Sequence, residues 1–312
     1  TTRNNYFFGG ATTSALNLGQ YNYAIGQYAM ANATTTGFIN NFAVGNGALM
    51  GTSTAESEGQ DNIAIGEYAM FSNAGGSRNN ALGNGALSGN TYGSNNNAIG
   101  YSTLSNNDTG SNNNALGDSS LFYNTTGSYN NAMGFEALSR NTTGTHNTGI
   151  GYQALRNAST TSNNIAIGNS ALFGDPDNFS GEHNIALGQV ALYSNTSGTY
   201  NNAFGYQALE NNTSGSDNNA FGRNALNGNT SGTNNQAFGA GALGSNDTGS
   251  ENIALGFFST LSNTTGSYNT GIGSYTLNDN YTGSFNIGLG YNANATNFTG
   301  TSTTAIGSFS NV

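Results

Sequence analysis

Few side chains in this chain can do chemistry. Its 312 residues hold two histidines, fifteen acids, five arginines, no lysine and no cysteine. Without thiols there can be neither disulfides nor thiolate metal sites. His146 and His183 stand apart in different contexts. The acids, among them Glu56, Glu58, Glu67, Asp118, Glu136, Glu182, Glu210, Asp217, Asp247 and Glu251, are scattered rather than paired. No general acid and base are therefore gathered at one cleft. Asp175, Asp177 and Asn178 make one oxygen-rich cluster, suited either to weak Ca²⁺ ligation or to a solvated turn. Acid positions do not recur with the repeat, which argues against a calcium-built roll. The expectation is a protein that is not an enzyme, with no catalytic residue, cofactor or metal.

Asparagine carries the remaining chemistry. Asn107, Asn124, Asn141, Asn178, Asn195, Asn212, Asn229, Asn246, Asn263, Asn280 and Asn297 each begin an Asn-x-Ser/Thr triplet three residues before a glycine. Such triplets are acceptors for N-linked glycans, and Asn32, Asn157 and Asn294 add further ones. The same Asn-Thr-Thr-Gly stretch is also good turn chemistry. A repeat that copies its turn copies its triplet, so both readings stay open, and both expect exposed turns.

What positions these residues is a repeat. Gly66, Gly83, Gly100, Gly117, Gly134, Gly151 and Gly168 follow an aliphatic residue at a spacing of seventeen, and the series resumes from Gly188 to Gly307. Looser copies end at Gly19, Gly26 and Gly45. A fixed period marks an array whose neighbouring units bury each other. Turn residues leave no uninterrupted run for a helix, so each unit is expected to hold two short extended segments and two turns. The predicted fold is all-β, an elongated parallel β-solenoid with 17-residue coils.

Residues 1–45 read as an irregular N-terminal segment that caps the stack or contacts another subunit, with Tyr6, Phe7 and Phe8 as candidate assembly contacts. Residues 46–312 read as the regular solenoid, with loop insertions near 51–59 and 174–181, the latter around the single proline, Pro176. The chain starts at Thr1 without a signal-peptide pattern and reads as a processed or excised segment. No C-terminal cap is evident, and an open end strand invites pairing.

Four residues before each glycine stand Asn62, Asn79, Asn96, Asn113, Asn130, Asn147, Asn164, Asn184, Asn201, Asn218, Asn235, Asn252, Asn269 and Asn286. Stacked one per coil, their amides can form a hydrogen-bonded ladder, or each can serve its own turn. One residue before the glycine the side chain is bulky and apolar; two before, it is Ala or Gly. Side chains alternate faces along a strand, so one face is narrow and the other bulky, and the sequence leaves open which is inside. The recurring leucines, from Leu87 to Leu243, are expected in the core. The scattered aromatics suit a protein interface, sugar stacking or cover for the coil's shoulders. Threonine lies in turns beside Asp, Ser and Tyr, which argues against a flat ice-binding face.

The units Asp61-Asn62-Ile63-Ala64-Ile65-Gly66, Asn163-Asn164-Ile165-Ala166-Ile167-Gly168 and His183-Asn184-Ile185-Ala186-Leu187-Gly188 resemble the head repeats of trimeric autotransporter adhesins and related tail-fibre and surface-fibre proteins. The likeness spans residues 17–307, on a period of seventeen rather than about fourteen, without a heptad stalk. It implies a parallel β-roll, three chains side by side, and display at a cell or virion surface. The expected function is a structural extracellular fibre or adhesin shaft, self-assembling end to end or as a side-by-side trimer, with a carbohydrate- or receptor-binding module as the alternative. A host surface or glycan is the expected ligand. A net charge of −10 without a basic track argues against nucleic acid. No apolar run is long enough for a membrane helix.

Overall fold

In the computed structural model the chain is an all-β parallel β-solenoid with one coil per seventeen residues. The structure describes residues 4–9, 19–32, 37–52, 59–294 and 299–310. Most of the expected 51–59 insertion, and Asn297, lie outside the described residues.

Two compact units divide the chain, residues 1–160 and 161–312. The first stacks β1 (Tyr6–Phe8), β2 (Tyr23–Ile25), β3 (Phe42–Val44), β4 (Ile63–Ile65), β5 (Asn80–Leu82), β6 (Asn97–Ile99), β7 (Asn114–Leu116), β8 (Asn131–Met133) and β9 (Thr148–Ile150). Each strand pairs in parallel with the next, residue on equivalent residue. Nine tiers at about 4.8 Å make this unit roughly 40 Å tall. The second unit stacks β10 (Ile165–Ile167), β11 (Ile185–Leu187), β12 (Asn202–Phe204), β13 (Asn219–Phe221), β14 (Gln236–Phe238), β15 (Ile253–Leu255), β16 (Thr270–Ile272), β17 (Ile287–Leu289) and β18 (Thr304–Ile306) in the same way.

The N-terminal segment is less irregular than its sequence suggests. β3 pairs β4 across residue 45, and β1 continues the ladder through Tyr6↔Tyr23, Phe7↔Ala24 and Phe8↔Ile25. Gly19 is not a strand-end glycine. Its carbonyl accepts from the Asn5 amide fourteen residues earlier, as Gly76 does from Asn62.

Among the described residues one strand forms per coil, and the expected second extended segment does not form as a strand. The Ala-Leu stretch is instead a turn, with the leucine in left-handed backbone. In the β8 tier Tyr129 (φ 60), Glu136 (φ 53) and Leu138 (φ 52) are all left-handed, and most tiers repeat these three positions. A left-handed L-residue costs about 1–2 kcal/mol. Each is offset by a hydrogen bond to a neighbouring tier: Tyr129 N to Ser111 O at 3.1 Å, Glu136 N to Asp118 O at 3.1 Å, and Leu138 N to Ala154 O at 3.0 Å. These reversals close a circuit in seventeen residues. Gly134, the glycine after β8, stands at φ 130 where a Cβ would collide with the Gly151 carbonyl of the next tier, and its equivalents from Gly26 to Gly134 and from Gly168 to Gly273 are placed in the same way.

The core is thin. Its apolar half is Ala132, Ala137 and Leu138 and their equivalents, which are buried; its other half is asparagine and glycine. The β15 tier departs from this. Leu261 slips outward, Thr260 fills the leucine's slot fully buried, and its hydroxyl has no hydrogen-bond partner.

The 174–181 insertion is a turn closed by the Asp175 carboxylate, which accepts from the backbone of Asp177 (2.8 Å) and Asn178 (3.2 Å). Phe179 plugs the widened coil, buried against Gly174.

Candidate functional site

Both asparagine columns run inside the coil. In the first, each backbone N–H donates to the Oδ1 of the asparagine one tier back, as from Asn79 to Asn62 and from Asn96 to Asn79, both 2.9 Å. In the regular tiers the Nδ2 donates to a turn glycine fourteen residues on, as from Asn79 to Gly93 at 2.8 Å, and where the coil is longer it reaches further, as from Asn41 to Gly59 and from Asn164 to Gly181. The column therefore combines the two expected roles, a ladder between tiers and a clamp on the turn. It begins earlier than the sequence reading placed it, at Asn5, Asn22 and Asn41, and Thr303 continues it by donating to Asn286.

The second column is the one that carries the glycosylation triplets, and here the expectation is corrected. Asn107, Asn124, Asn141, Asn195, Asn212, Asn229, Asn246, Asn263 and Asn280 are fully buried. The Nδ2 that would bear a glycan donates one hydrogen to the Oδ1 of the tier before and the other to the glycine three residues on: Asn124 reaches Asn107 at 2.7 Å and Gly127 at 2.9 Å. A glycan would have to displace a hydrogen bond and pass through a filled core. Asn73 and Asn90 belong to the same column without carrying the triplet. In the first unit the column stops at Asn141, whose Oδ1 is unpartnered because Ala158 holds the next position. Asn294 is also buried; Asn178 is exposed. Asn211 is exposed too and begins Asn211-Asn212-Thr213, a triplet the sequence reading passed over because it sits one residue out of phase.

One turn carbonyl collects the rest of the turn's donors. Thr125 O accepts from Asp108 N, Thr109 N and Gly110 N at 2.9, 3.1 and 3.3 Å. The Asn-x-Thr-Gly signature is thus a buried amide followed by three backbone donors aimed at the next tier.

Both histidines stand on the surface, each stacked on a tyrosine, and Glu56 and Glu58 lie outside the described residues. His146 stacks on Tyr129 at 5.0 Å and His183 on Tyr200 at 4.9 Å. Glu136 pairs with Arg156 at 2.7 Å. The Glu251 carboxylate accepts a hydrogen bond from the Tyr268 phenol and, with its negative charge, holds that phenol's pKa above its ordinary value. Among the described residues no three of His, Cys, Asp and Glu are grouped as metal ligands. The Asp175 oxygen that a cation would need caps its own turn. No helix among the described residues is long and apolar enough to cross a membrane.

The outward face of the strands decides the question the sequence left open. From β2 to β18 the middle residue, Ala or Gly, points in and both flanking residues point out, while β1 carries Phe7 at that position. In the first unit Phe8, Ile25, Val44, Ile65, Leu82, Ile99, Leu116, Met133 and Ile150 form an exposed or half-exposed apolar column. Leu82 and Leu116 are each 47% exposed. In the second unit the corresponding column includes Phe204, Phe221 and Phe238, stacked at 4.5 and 4.9 Å. Beside it runs an outward amide ladder: Asn80, Asn97 and Asn114 each donate to the next tier at 2.7–3.0 Å, and Asn202 and Asn219 do so at 2.7 Å. Sequence reasoning missed this ladder; its signal was a second asparagine directly after the first in those tiers.

Comparison with known protein families, with characterised proteins and with solved structures found no match.

Proposed function

We propose that this protein is a structural subunit of an extracellular or virion-surface fibre, serving display and adhesion. The observation that carries this reading is the outward apolar column present in every tier. A half-exposed aliphatic leaves on the order of 80 Å² uncovered, so the nine residues of the first unit expose roughly 700 Å², above the roughly 300–600 Å² of the largest patch on a typical monomer. A parallel strand face of this kind gains most by meeting another such face, which favours lateral association of copies over end-to-end contact through Tyr6, Phe7 and Phe8. The sparsely charged, hydrogen-bonded coil and the resemblance to surface-fibre head repeats support the same reading.

The test is sedimentation and light scattering across a concentration series. The full chain is expected to be oligomeric, and the triple variant Leu82→Thr, Ile99→Thr, Leu116→Thr to dissociate while keeping its circular dichroism. Threonine suits an exposed strand, so loss of association would not reflect misfolding. A monomer at 100 µM, taken as roughly the upper working concentration for a weak assembly, would end the fibre reading.

A further inference from the structure

We infer that the first unit carries a binding subsite for a neutral saccharide, in a notch on the corner of the β4, β5 and β6 tiers. It does not depend on self-association, since the corner lies outside the strands that carry the apolar column.

The notch arises from a local break in side-chain size. One corner position holds Phe71, Ser88, Ser105 and Phe122 in successive tiers, and the position after it holds Ser72, Gly89, Asn106 and Tyr123. Two tiers of small residues therefore lie between two aromatic tiers. The resulting cavity is shallow, about 400 Å³, and lined by Tyr68, Phe71, Ser72, Ser88, Ser105 and Asn106. Pockets for small molecules occupy roughly 300–1,000 Å³. Gly89 forms the floor, where a Cβ would meet the Ser105 carbonyl at 2.7 Å.

At one end Tyr68 and Phe71 meet edge to face at 5.4 Å. Their rings seat over Gly47, whose missing side chain leaves them the space. Two tiers beyond the floor, Phe122 and Tyr123 are edge to face at 4.7 Å. Between them the Ser88 and Ser105 hydroxyls are 2.9 Å apart, one donating to the other, and the Asn106 amide donates to Phe122 O at 3.0 Å. The two tiers open a gap of about 10 Å at the strand spacing, the size of a pyranose ring with its hydroxyls.

The chemistry selects the ligand class. An aromatic wall accepts the C–H face of a sugar ring, and hydroxyl and amide groups match its hydroxyls. None of the lining side chains is ionisable at neutral pH, so an anion finds no countercharge. A stacked nucleotide is disfavoured because its phosphates need a cationic groove, and this chain carries a net charge of −10.

The experiment is saturation-transfer NMR on the full chain with glucose, galactose, N-acetylglucosamine and their β-linked dimers, followed by titration. At least one probe is expected to bind with Kd on the order of 1 mM. Tyr68→Ala should weaken it at least tenfold, and so should Ser105→Phe, which fills the notch. Phenylalanine is already carried at this position as Phe71 and Phe122, so the filled variant should fold. Tyr200→Ala, in the second unit, should change nothing. Absence of transfer from every probe at 10 mM, an excess of roughly tenfold over that Kd, overturns the inference, as does undiminished binding by Ser105→Phe.

Discussion

Asn124 offers the sharpest test of what the Asn-x-Thr-Gly signature does. If it serves only its local turn, Asn124→Asp is mild, because aspartate makes the same side-chain turn. The structure gives a different answer. Asn124 is fully buried, and its Nδ2 donates to Asn107 Oδ1 at 2.7 Å and to Gly127 O at 2.9 Å. Its own Oδ1 accepts from Asn141 Nδ2 at 2.7 Å. Asn124→Ala orphans the Asn107 oxygen and one Asn141 hydrogen, while Gly127 O keeps its bond from Asn113. Two orphaned buried groups at about 1–3 kcal/mol each, with a small cavity added, give a loss of roughly 3–6 kcal/mol. Asn124→Asp should cost at least as much, since an acceptor then faces two acceptors in a buried site. Repeat arrays need not unfold in one step, so the assay is hydrogen exchange of the amides of tiers β6 to β8 together with thermal melts. Protection should fall for both variants, and most in those tiers. Retention of wild-type exchange by Asn124→Asp, within about 0.5 kcal/mol, would refute the buried-ladder account.

Further outcomes follow from the same geometry. Gly134→Ala should destabilise the first unit by about 3 kcal/mol or more, read as a lowered melting temperature, because the new Cβ meets the Gly151 carbonyl and the backbone stands at φ 130. Thr260→Val should stabilise the second unit by about 1 kcal/mol, since it replaces a buried, unpartnered hydroxyl by a methyl of similar shape; an unchanged or lowered melting temperature counts against this. Expressed in a host that attaches N-linked glycans, the folded chain should carry them at Asn178 and Asn211 and not at Asn107, Asn124 or Asn141. Glycopeptide mass spectrometry reads this directly, and occupancy along the buried column would contradict the structure.

The sequence by itself determined the period, the parallel stacking and the asparagine column. A seventeen-residue spacing of strand-end glycines can be kept only if each coil rests on an equivalent coil, and a glycine is needed wherever a Cβ would strike the next tier's backbone. It did not determine which side of the strand faces in. Alternation places Ala132 and Met133 on opposite faces but assigns neither. Only the closed circuit does so: the interior is wide enough for alanine because Leu138, turned inward through left-handed backbone, already fills it. Leucine, tyrosine and glutamate carry no local preference for that backbone, so the turns were invisible in sequence and the Ala-Leu stretch looked extended. The same closure decided the glycosylation triplets. Asn124-Thr125-Thr126 is identical as a string whether its amide points to solvent or to the axis, and the contacts with Asn107, Asn141 and Gly127, made across tiers, turn it inward.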